Sequence, residues 1–144
     1  MKLNRKWLNE EFVDLSHVSD KEFVEKYISD QLRFFDENGM YMDPTQPAVY
    51  DLVTRLQFAV AIYFGYDGPS RKKLEELMLK SAELTLYLVS ACGEIPYGGR
   101  SNQFLHDDSL YFSLCEFYAS WMKQRGDMVM ASKFKGAAKK AADN

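Results

Sequence analysis

The fold and function of this chain depend on one polar stretch, residues 93–109, which reads GEIPYGGRSNQFLHDDS. A proline and two adjacent glycines keep its first half out of regular structure. Its second half leads into a long apolar helix through six polar residues: Arg100, Asn102, Gln103, His106, Asp107 and Asp108. Because burying polar groups costs free energy, so dense a cluster at the start of an apolar helix favours a functional face. The structural alternative is a hydrogen-bonded loop that caps the helix.

The composition is that of a folded chain forming one domain, 1–144. Of its 144 residues, 47% are hydrophobic and 15% aromatic, which is enough to bury a core of ordinary size. The formal net charge is −3 and no basic patch stands out, so we expect no nucleic-acid partner. The sequence holds no uninterrupted run of about 18 apolar residues, so we expect no membrane span. With no secretory signal pattern at its start, we expect a cytoplasmic protein.

The cysteines and the remaining motifs argue against a metal or redox site. Cys92 and Cys115 both fall in apolar helical patterns, which predicts two buried free thiols. Nothing has the spacing of a zinc site, a nucleophilic triad or a phosphate-binding loop. We therefore expect no metal and no cofactor.

Hydrophobic periodicity predicts five helices of two alternating kinds. In chain order they are amphipathic 19–35, apolar 48–64, amphipathic 70–92, apolar 102–124 and amphipathic 128–142. A helix that is apolar on nearly every side is expected to be buried on nearly every side. Long loops lead into the apolar helices and short turns lead out of them. This alternation is typical of an all-α, two-layer array of antiparallel helical hairpins, with a plain antiparallel bundle as the competing fold.

Local signals define the predicted boundaries and one ion pair. Asn38 and Gly39 form a turn signal in the first long loop, and Ser70 can cap the third helix. Asp51 and Arg55 lie one helical turn apart and can pair. Because both apolar helices begin on the face where the long loops open, we expect this pair to share one concavity with the polar stretch.

Four segments resemble bacterial α/α-toroid, or six-hairpin, carbohydrate-active proteins, in particular a heparinase- or glucuronidase-like branch. They are PAVYDLVTRLQFA, GYDGP, GEIPYGGRSNQFLHDDS and GDMVMASKFKGAAKKA. The resemblance covers roughly residues 36–142, and its most specific part is GGRSNQFLH. It implies a glycoside hydrolase-like or lyase-like face for an acidic carbohydrate. Since five helices are fewer than a closed six-hairpin ring contains, it also implies a partial toroid. The family motif continues with Asn-Glu where this chain has Asp107-Asp108.

The resemblance suggests roles for the polar residues. Glycoside hydrolysis usually uses two carboxyl groups, and Asp108 is the predicted proton donor because it falls among apolar positions of its helix. Asp107 and His106 are the other catalytic candidates. A helix-capping role is the structural alternative for Asp108.

The predicted substrate-binding residues form a second group: Arg100, Asn102, Gln103, Tyr97, Asp51 and Arg55. Arg100 can clamp a substrate carboxylate in bidentate fashion, or instead pair with a neighbouring aspartate. Tyr97 can stack on a sugar ring or simply pack.

These roles imply an oligosaccharide partner, in particular one that contains uronic acid. A partial toroid leaves inner helices uncovered at its open edges. We therefore expect a homo-oligomer, or a ring that is completed by its missing remainder. The alternative functions are a non-catalytic sugar-binding module and a helical interaction or oligomerisation module.

Overall fold

The structure, a computed structural model, describes residues 20–43, 48–90 and 107–143. Its helices are α1 (Asp20–Leu32), α2 (Ala48–Tyr63), α3 (Arg71–Tyr87), α4 (Asp107–Gln124) and α5 (Met128–Ala142). Within these ranges there is no strand, only an isolated β-bridge between Phe35 and Tyr41. The prediction of an all-α fold is confirmed, while the toroidal arrangement stays a prediction.

Helix α4 is the centre of the packing. It makes its most extensive contact with α5, and its next largest with α2. Gly126, at φ +84°, forms the turn between α4 and α5. Tyr118 stacks on Phe134 with ring centroids 4.8 Å apart, and Lys135 pairs with Glu116 at 2.6 Å. Since the later residue of α4 meets the earlier residue of α5, the two helices run antiparallel.

The core lies where α2, α3 and α5 meet α4. Its fully buried apolar members recur at helical spacing in every one of these helices: Leu52, Phe58, Leu74, Met78, Tyr111, Leu114, Cys115, Tyr118, Phe134 and Ala138. Six of these ten residues come from α4 between positions 111 and 118 or face it from α5. The predicted deep burial of α4 is confirmed.

Helix α2 differs from the prediction, because only one of its faces is buried. That face carries Asp51, Leu52, Arg55, Phe58, Ala59 and Ile62. On the other side Val60 and Tyr63 are exposed, although both are apolar or aromatic. The helices that pack on α2 are chiefly α4 and α3, which together cover one side of it. All-round burial of α2 is therefore wrong for the described part of the chain.

Helix α1 also exposes most of the large apolar residues of its amphipathic pattern. Phe23, Val24 and Tyr27 are exposed, and Ile28 is the buried residue of this helix. The Glu25 carboxylate instead anchors α1 through polar contacts. It accepts hydrogen bonds from the Tyr66 hydroxyl and from the Ser70 hydroxyl, the latter at 2.6 Å.

Two predicted helix boundaries need correction. Ser70 precedes α3 but makes no side-chain capping bond, because its hydroxyl is committed to Glu25. Helix α3 ends at Tyr87, five positions before the predicted end, and Leu88 closes it with backbone bonds to the last turn. Ser19, where the first helix was predicted to begin, lies outside the described residues.

The loop after α1 is seated directly on α3. The predicted Asn38–Gly39 turn is confirmed, with Gly39 at φ +85°. The Asp36 carboxylate holds the turn by accepting from the backbone N–H groups of Asn38 and Met40, both at 2.8 Å. A Cβ atom on Gly39 would lie 2.6 Å from the backbone nitrogen of Ser81. Position 39 therefore requires glycine both for its conformation and for its closeness to α3.

Comparing Gly39→Ala with Gly65→Ala separates these two requirements. Gly65 also has a positive φ, of +80°, but a Cβ atom there would meet nothing within 4 Å. We expect Gly65→Ala to cost about 1 kcal/mol from backbone strain alone. Gly39→Ala should cost a further 1–3 kcal/mol or so, because the loop must move off α3. Urea denaturation measures both, and equal costs would contradict the close approach.

The Glu25 contacts predict a pH dependence. Hydrogen bonds from Ser70 and Tyr66 lower the pKa of Glu25 below its ordinary value of 4.5. The unfolded chain therefore takes up this proton at a higher pH than the folded chain. The contact stabilises the fold above pH 4.5, and that contribution is lost as the pH falls through the folded-state pKa. We expect Glu25→Gln to flatten the acid limb of the stability–pH curve. Glu76→Gln, on the exposed side of α3, is the control, and equal curves for both variants would count against the contact.

Candidate functional site

A buried ion pair lies at the beginning of α2. The side chains of Asp51 and Arg55 are both 0% exposed. Nε of Arg55 lies 2.9 Å from each carboxylate oxygen of Asp51, and Nη2 lies 2.5 Å from Oδ2. The predicted pairing across one helical turn is confirmed. Since neither charge reaches water, each depends on the other for compensation.

The groups around the pair satisfy its remaining hydrogen-bonding atoms. Oδ1 of Asp51 accepts from the backbone N–H of Tyr41 at 2.7 Å, which ties the first long loop to α2. Nη1 of Arg55 donates to the Thr85 hydroxyl and, at 3.4 Å, to the Ser81 carbonyl. Thr85 in turn donates to that same carbonyl at 2.9 Å. The pair thus joins the loop, α2 and α3.

Two buried tyrosines connect α4 to the same place. The Tyr111 hydroxyl donates to the Thr85 carbonyl at 3.0 Å. The Tyr118 hydroxyl, two turns later, donates to the Met78 carbonyl at 2.9 Å and lies 2.8 Å from the Ser81 hydroxyl. Burial raises the pKa of both tyrosines, so both stay neutral at physiological pH. We call the set Asp51, Arg55, Ser81, Thr85, Tyr111 and Tyr118 the buried network.

The electrostatics of the buried network keep its one cation charged. Burial, the largest single influence, lowers the pKa of Arg55, but Asp51 and Tyr118 together outweigh burial, and the net shift is upward. Cys115 lies beside Tyr111, and burial raises the pKa of its thiol to about 12. The prediction of a buried free thiol is confirmed for Cys115. Cys92 lies outside the described residues.

The acids at the start of α4 are arranged differently from the prediction. Asp107 is 2% exposed, whereas Asp108 is half-buried. The buried stripe of α4 passes through Tyr111, and Asp107 precedes Tyr111 by one turn on that stripe. Asp108 is rotated from Asp107 by about 100°. Asp107, and not Asp108 as expected, is therefore the more deeply placed carboxyl group.

The predicted substrate-binding pair also needs reinterpretation. Asp51 and Arg55 were expected to face an open concavity, but neither side chain has exposed surface. Their described hydrogen bonds to other segments go to the loop before α2 and to α3. The pair lies below the start of α4, to which Thr85 and Tyr111 link it, and so can support a site without touching a ligand. Five predicted site residues lie outside the described residues, and their convergence on this face stays a prediction: Tyr97, Arg100, Asn102, Gln103 and His106.

Sequence reasoning missed the hydroxyl groups of the buried network. Ser81 and Thr85 lie one turn apart on the buried stripe of α3, where the apolar pattern alone predicts only packing. A pair of hydroxyls on a buried stripe indicates a polar partner from another helix. That partner is the Asp51–Arg55 pair, which is also buried on an otherwise apolar face.

Within residues 20–43, 48–90 and 107–143, no three His, Cys, Asp or Glu side chains come close enough to hold a metal ion. None of the helices described in these ranges is long and apolar enough to cross a membrane. Comparison with known protein families, curated proteins and solved structures finds no match for this chain.

Because the two buried charges compensate each other, we expect removal of one charge to destabilise the fold more than removal of both. Arg55→Met leaves the Asp51 carboxylate buried without its cation, and we expect a loss of about 3–5 kcal/mol. The double variant Asp51→Asn/Arg55→Met removes that charge and should be at least about 1 kcal/mol more stable than Arg55→Met. Urea denaturation followed by circular dichroism measures these differences.

Arg71→Met is the matched control. Arg71 pairs with Glu75 at the same sequence spacing, but both side chains are partly exposed. Its loss should cost about 2 kcal/mol or less, because the partly exposed pair contributes little and the bond from Arg71 to the Tyr66 carbonyl is lost with it. An Arg55→Met variant that loses no more stability than Arg71→Met would contradict the role assigned to the buried pair.

Proposed function

We propose that the chain forms part of a carbohydrate-binding face for an acidic sugar, with glycoside hydrolase-like chemistry at the start of α4. The observation that carries the proposal is the buried network below two consecutive acids, Asp107 and Asp108. A buried ion pair seldom stabilises a fold more than apolar residues of the same volume would. What a buried ion pair does provide is a fixed geometry of the groups around it. We therefore base its functional role on that geometry.

In this proposal Asp51 and Arg55 are positioning residues. Arg55 bonds Thr85, and Tyr111 bonds the carbonyl of the same residue, so α2, α3 and the first turns of α4 share one fixed point. Acid–base catalysis requires carboxyl groups that are held in place with little freedom to move. Asp107 lies one turn from Tyr111 and is held closest to this point.

The reacting group in the proposal is Asp108. Its carboxyl group is half-buried and thus reachable, and the helix N-terminus supports an acid in this turn. One carboxyl group protonates the leaving oxygen in glycoside hydrolysis, while a second activates water or attacks the sugar. Because neighbouring helix positions point about 100° apart, Asp107 and Asp108 cannot fill both roles. The second carboxyl group comes from another loop.

The preceding stretch supplies the proposed sugar contacts. Arg100 binds the carboxylate of a uronic acid in bidentate fashion, Asn102 and Gln103 bond its hydroxyl groups, and Tyr97 stacks on the ring. His106 is a further candidate for proton transfer. The finer fold proposed with this face is a partial α/α toroid.

The second candidate is a non-catalytic sugar-binding module of the same fold. Asp107-Asp108 stands where the resembling proteins have Asn-Glu, and this difference favours binding without turnover. The two candidates share the role of Arg100 and differ in the role of Asp108.

Calorimetric titration with uronic-acid oligosaccharides tests the proposal. We expect wild type to bind and Arg100→Ala to lose about 1.5–3 kcal/mol of binding free energy, since a charge-assisted bidentate contact is removed. Arg33→Ala, at an exposed arginine that lies over Phe34, is the control and should bind as wild type does. No binding by wild type, or equal binding by all three proteins, would refute the sugar site.

The same proteins distinguish the enzyme from the binding module. If the chain cleaves the oligosaccharide, Asp108→Asn should abolish product formation and leave the calorimetric affinity nearly unchanged. Binding by wild type without any product would favour the non-catalytic module. Turnover that survives in Asp108→Asn would remove Asp108 from the proton-donor role.

A further inference from the structure

One apolar surface of the molecule is not covered by any described element. It consists of Phe23, Val24 and Tyr27 on α1 together with Val60 on α2 and Phe64 just after it, and we call it the α1–α2 face. Their exposed fractions are 48%, 39%, 44%, 47% and 79% respectively. Phe23 and Val24 lie four and three positions before Tyr27, and Val60 lies four positions before Phe64, so each set covers one side of its helix.

The α1 residues of this face form one wall of a shallow groove, and α2 forms the other. Val60 and Phe64 do not line the groove but lie one turn from Gln57 and Ala61, which do. Phe23, Val24, Tyr27, Ile28, Gln57, Phe58 and Ala61 line it, and its volume is about 110 Å³. Pockets that enclose small organic ligands usually measure about 300–1,000 Å³. The groove is therefore the size of a recess for a side chain. The Tyr27 hydroxyl donates to Gln57 Oε1 at 3.1 Å and holds its two walls together.

The area of the α1–α2 face matches what a symmetric dimer requires. Taking about 200 Å² for a whole aromatic side chain, and somewhat less for valine, the five residues present about 450 Å² of apolar surface. A homodimer interface of standard size covers about 800 Å² on each copy, of which roughly two thirds is apolar, or about 500 Å². Three of the five residues are aromatic, the class that interfaces favour.

The charges around the face favour a second copy over other partners. Helix α1 carries four acids and two lysines: Asp20, Glu22, Glu25, Asp30, Lys21 and Lys26. An excess of acids disfavours both an anionic membrane surface and nucleic acid, which require clustered lysine and arginine. In a two-fold interface each copy presents the same residues to the other. Lys26 and Asp30, one turn apart on α1, give the border both signs, so the lysine of one copy can pair with the aspartate of the other.

We propose that the α1–α2 face binds the α1–α2 face of a second copy of this chain. The two grooves face one another about a two-fold axis, and aromatic side chains of one copy fill the recess of the other. Val60 and Phe23 become buried in the dimer. This interface is independent of the sugar site proposed at the start of α4, because the two share no described residue.

Sedimentation velocity of the full chain over a concentration series tests the proposal. We expect a reversible dimer whose dissociation constant rises at least about tenfold in Val60→Glu, since each interface would then bury two like charges. Val129→Glu is the matched control, because Val129 is 68% exposed on α5, outside the face. Phe23→Glu places the same charge on the other helix and should act as Val60→Glu does. Circular dichroism verifies that each variant folds.

Thiol labelling of Val60→Cys identifies what covers the face. We expect its labelling to slow as the protein concentration rises, whereas that of Val129→Cys stays constant. A monomer that is labelled rapidly at position 60 would overturn the proposal and leave the face to a different partner. A monomer that is labelled slowly would overturn it in favour of coverage by the chain itself, for instance by residues 1–19. A dimer that Val60→Glu and Phe23→Glu leave intact would overturn it in favour of another interface.

Discussion

The buried pair of Asp51 and Arg55 is the constraint on which the rest of this structure depends. Two opposite charges with no exposed surface would destabilise the fold if either lost its partners. The carboxylate therefore receives a backbone N–H from the loop before α2, and the guanidinium bonds a hydroxyl and a carbonyl of α3. These contacts determine how α2, α3 and the loop lie relative to one another. Apolar packing alone would define that arrangement less precisely.

Hydrogen bonds connect the ion pair to α4, and therefore to the candidate site at the start of that helix. Tyr111 bonds the residue that Arg55 also bonds, and Asp107 precedes Tyr111 by one turn on the same buried stripe. The start of α4 is thus held by polar contacts at its base, while Asp108 points toward a more open side. This division explains how one acidic dipeptide can combine a supporting residue and a reachable one. In the function that we propose, Asp51 and Arg55 support the site from below.

The outcome for each element shows what periodicity can and cannot predict. The existence of the helices, the central position of α4 and the pairing of Asp51 with Arg55 all follow from spacings within about one to three turns. The role of Ser70 was not predictable in this way, because its hydroxyl bonds Glu25, a residue 45 positions away. Asp107 and Asp108 differ by one position, or about 100° around the helix. Because the helix is apolar on nearly all sides, its sequence pattern does not show which of the two acids is buried. Contacts between helices decide both cases.

The sequence pattern and the structure disagree most clearly on α2, and the disagreement is informative. A helix with apolar residues on nearly every side is suited to burial on every side, yet α3 and α4 cover only one side of it. The uncovered residues are Val60 and Tyr63, with Phe64 beyond the helix end, and the neighbouring helix adds Phe23 and Tyr27. The largest apolar patch on a protein surface often marks an interaction site. When a second copy covers these residues, as we propose, α2 is buried on both sides in the dimer. The apolar pattern of α2 then matches its burial in the dimer and not in the single chain.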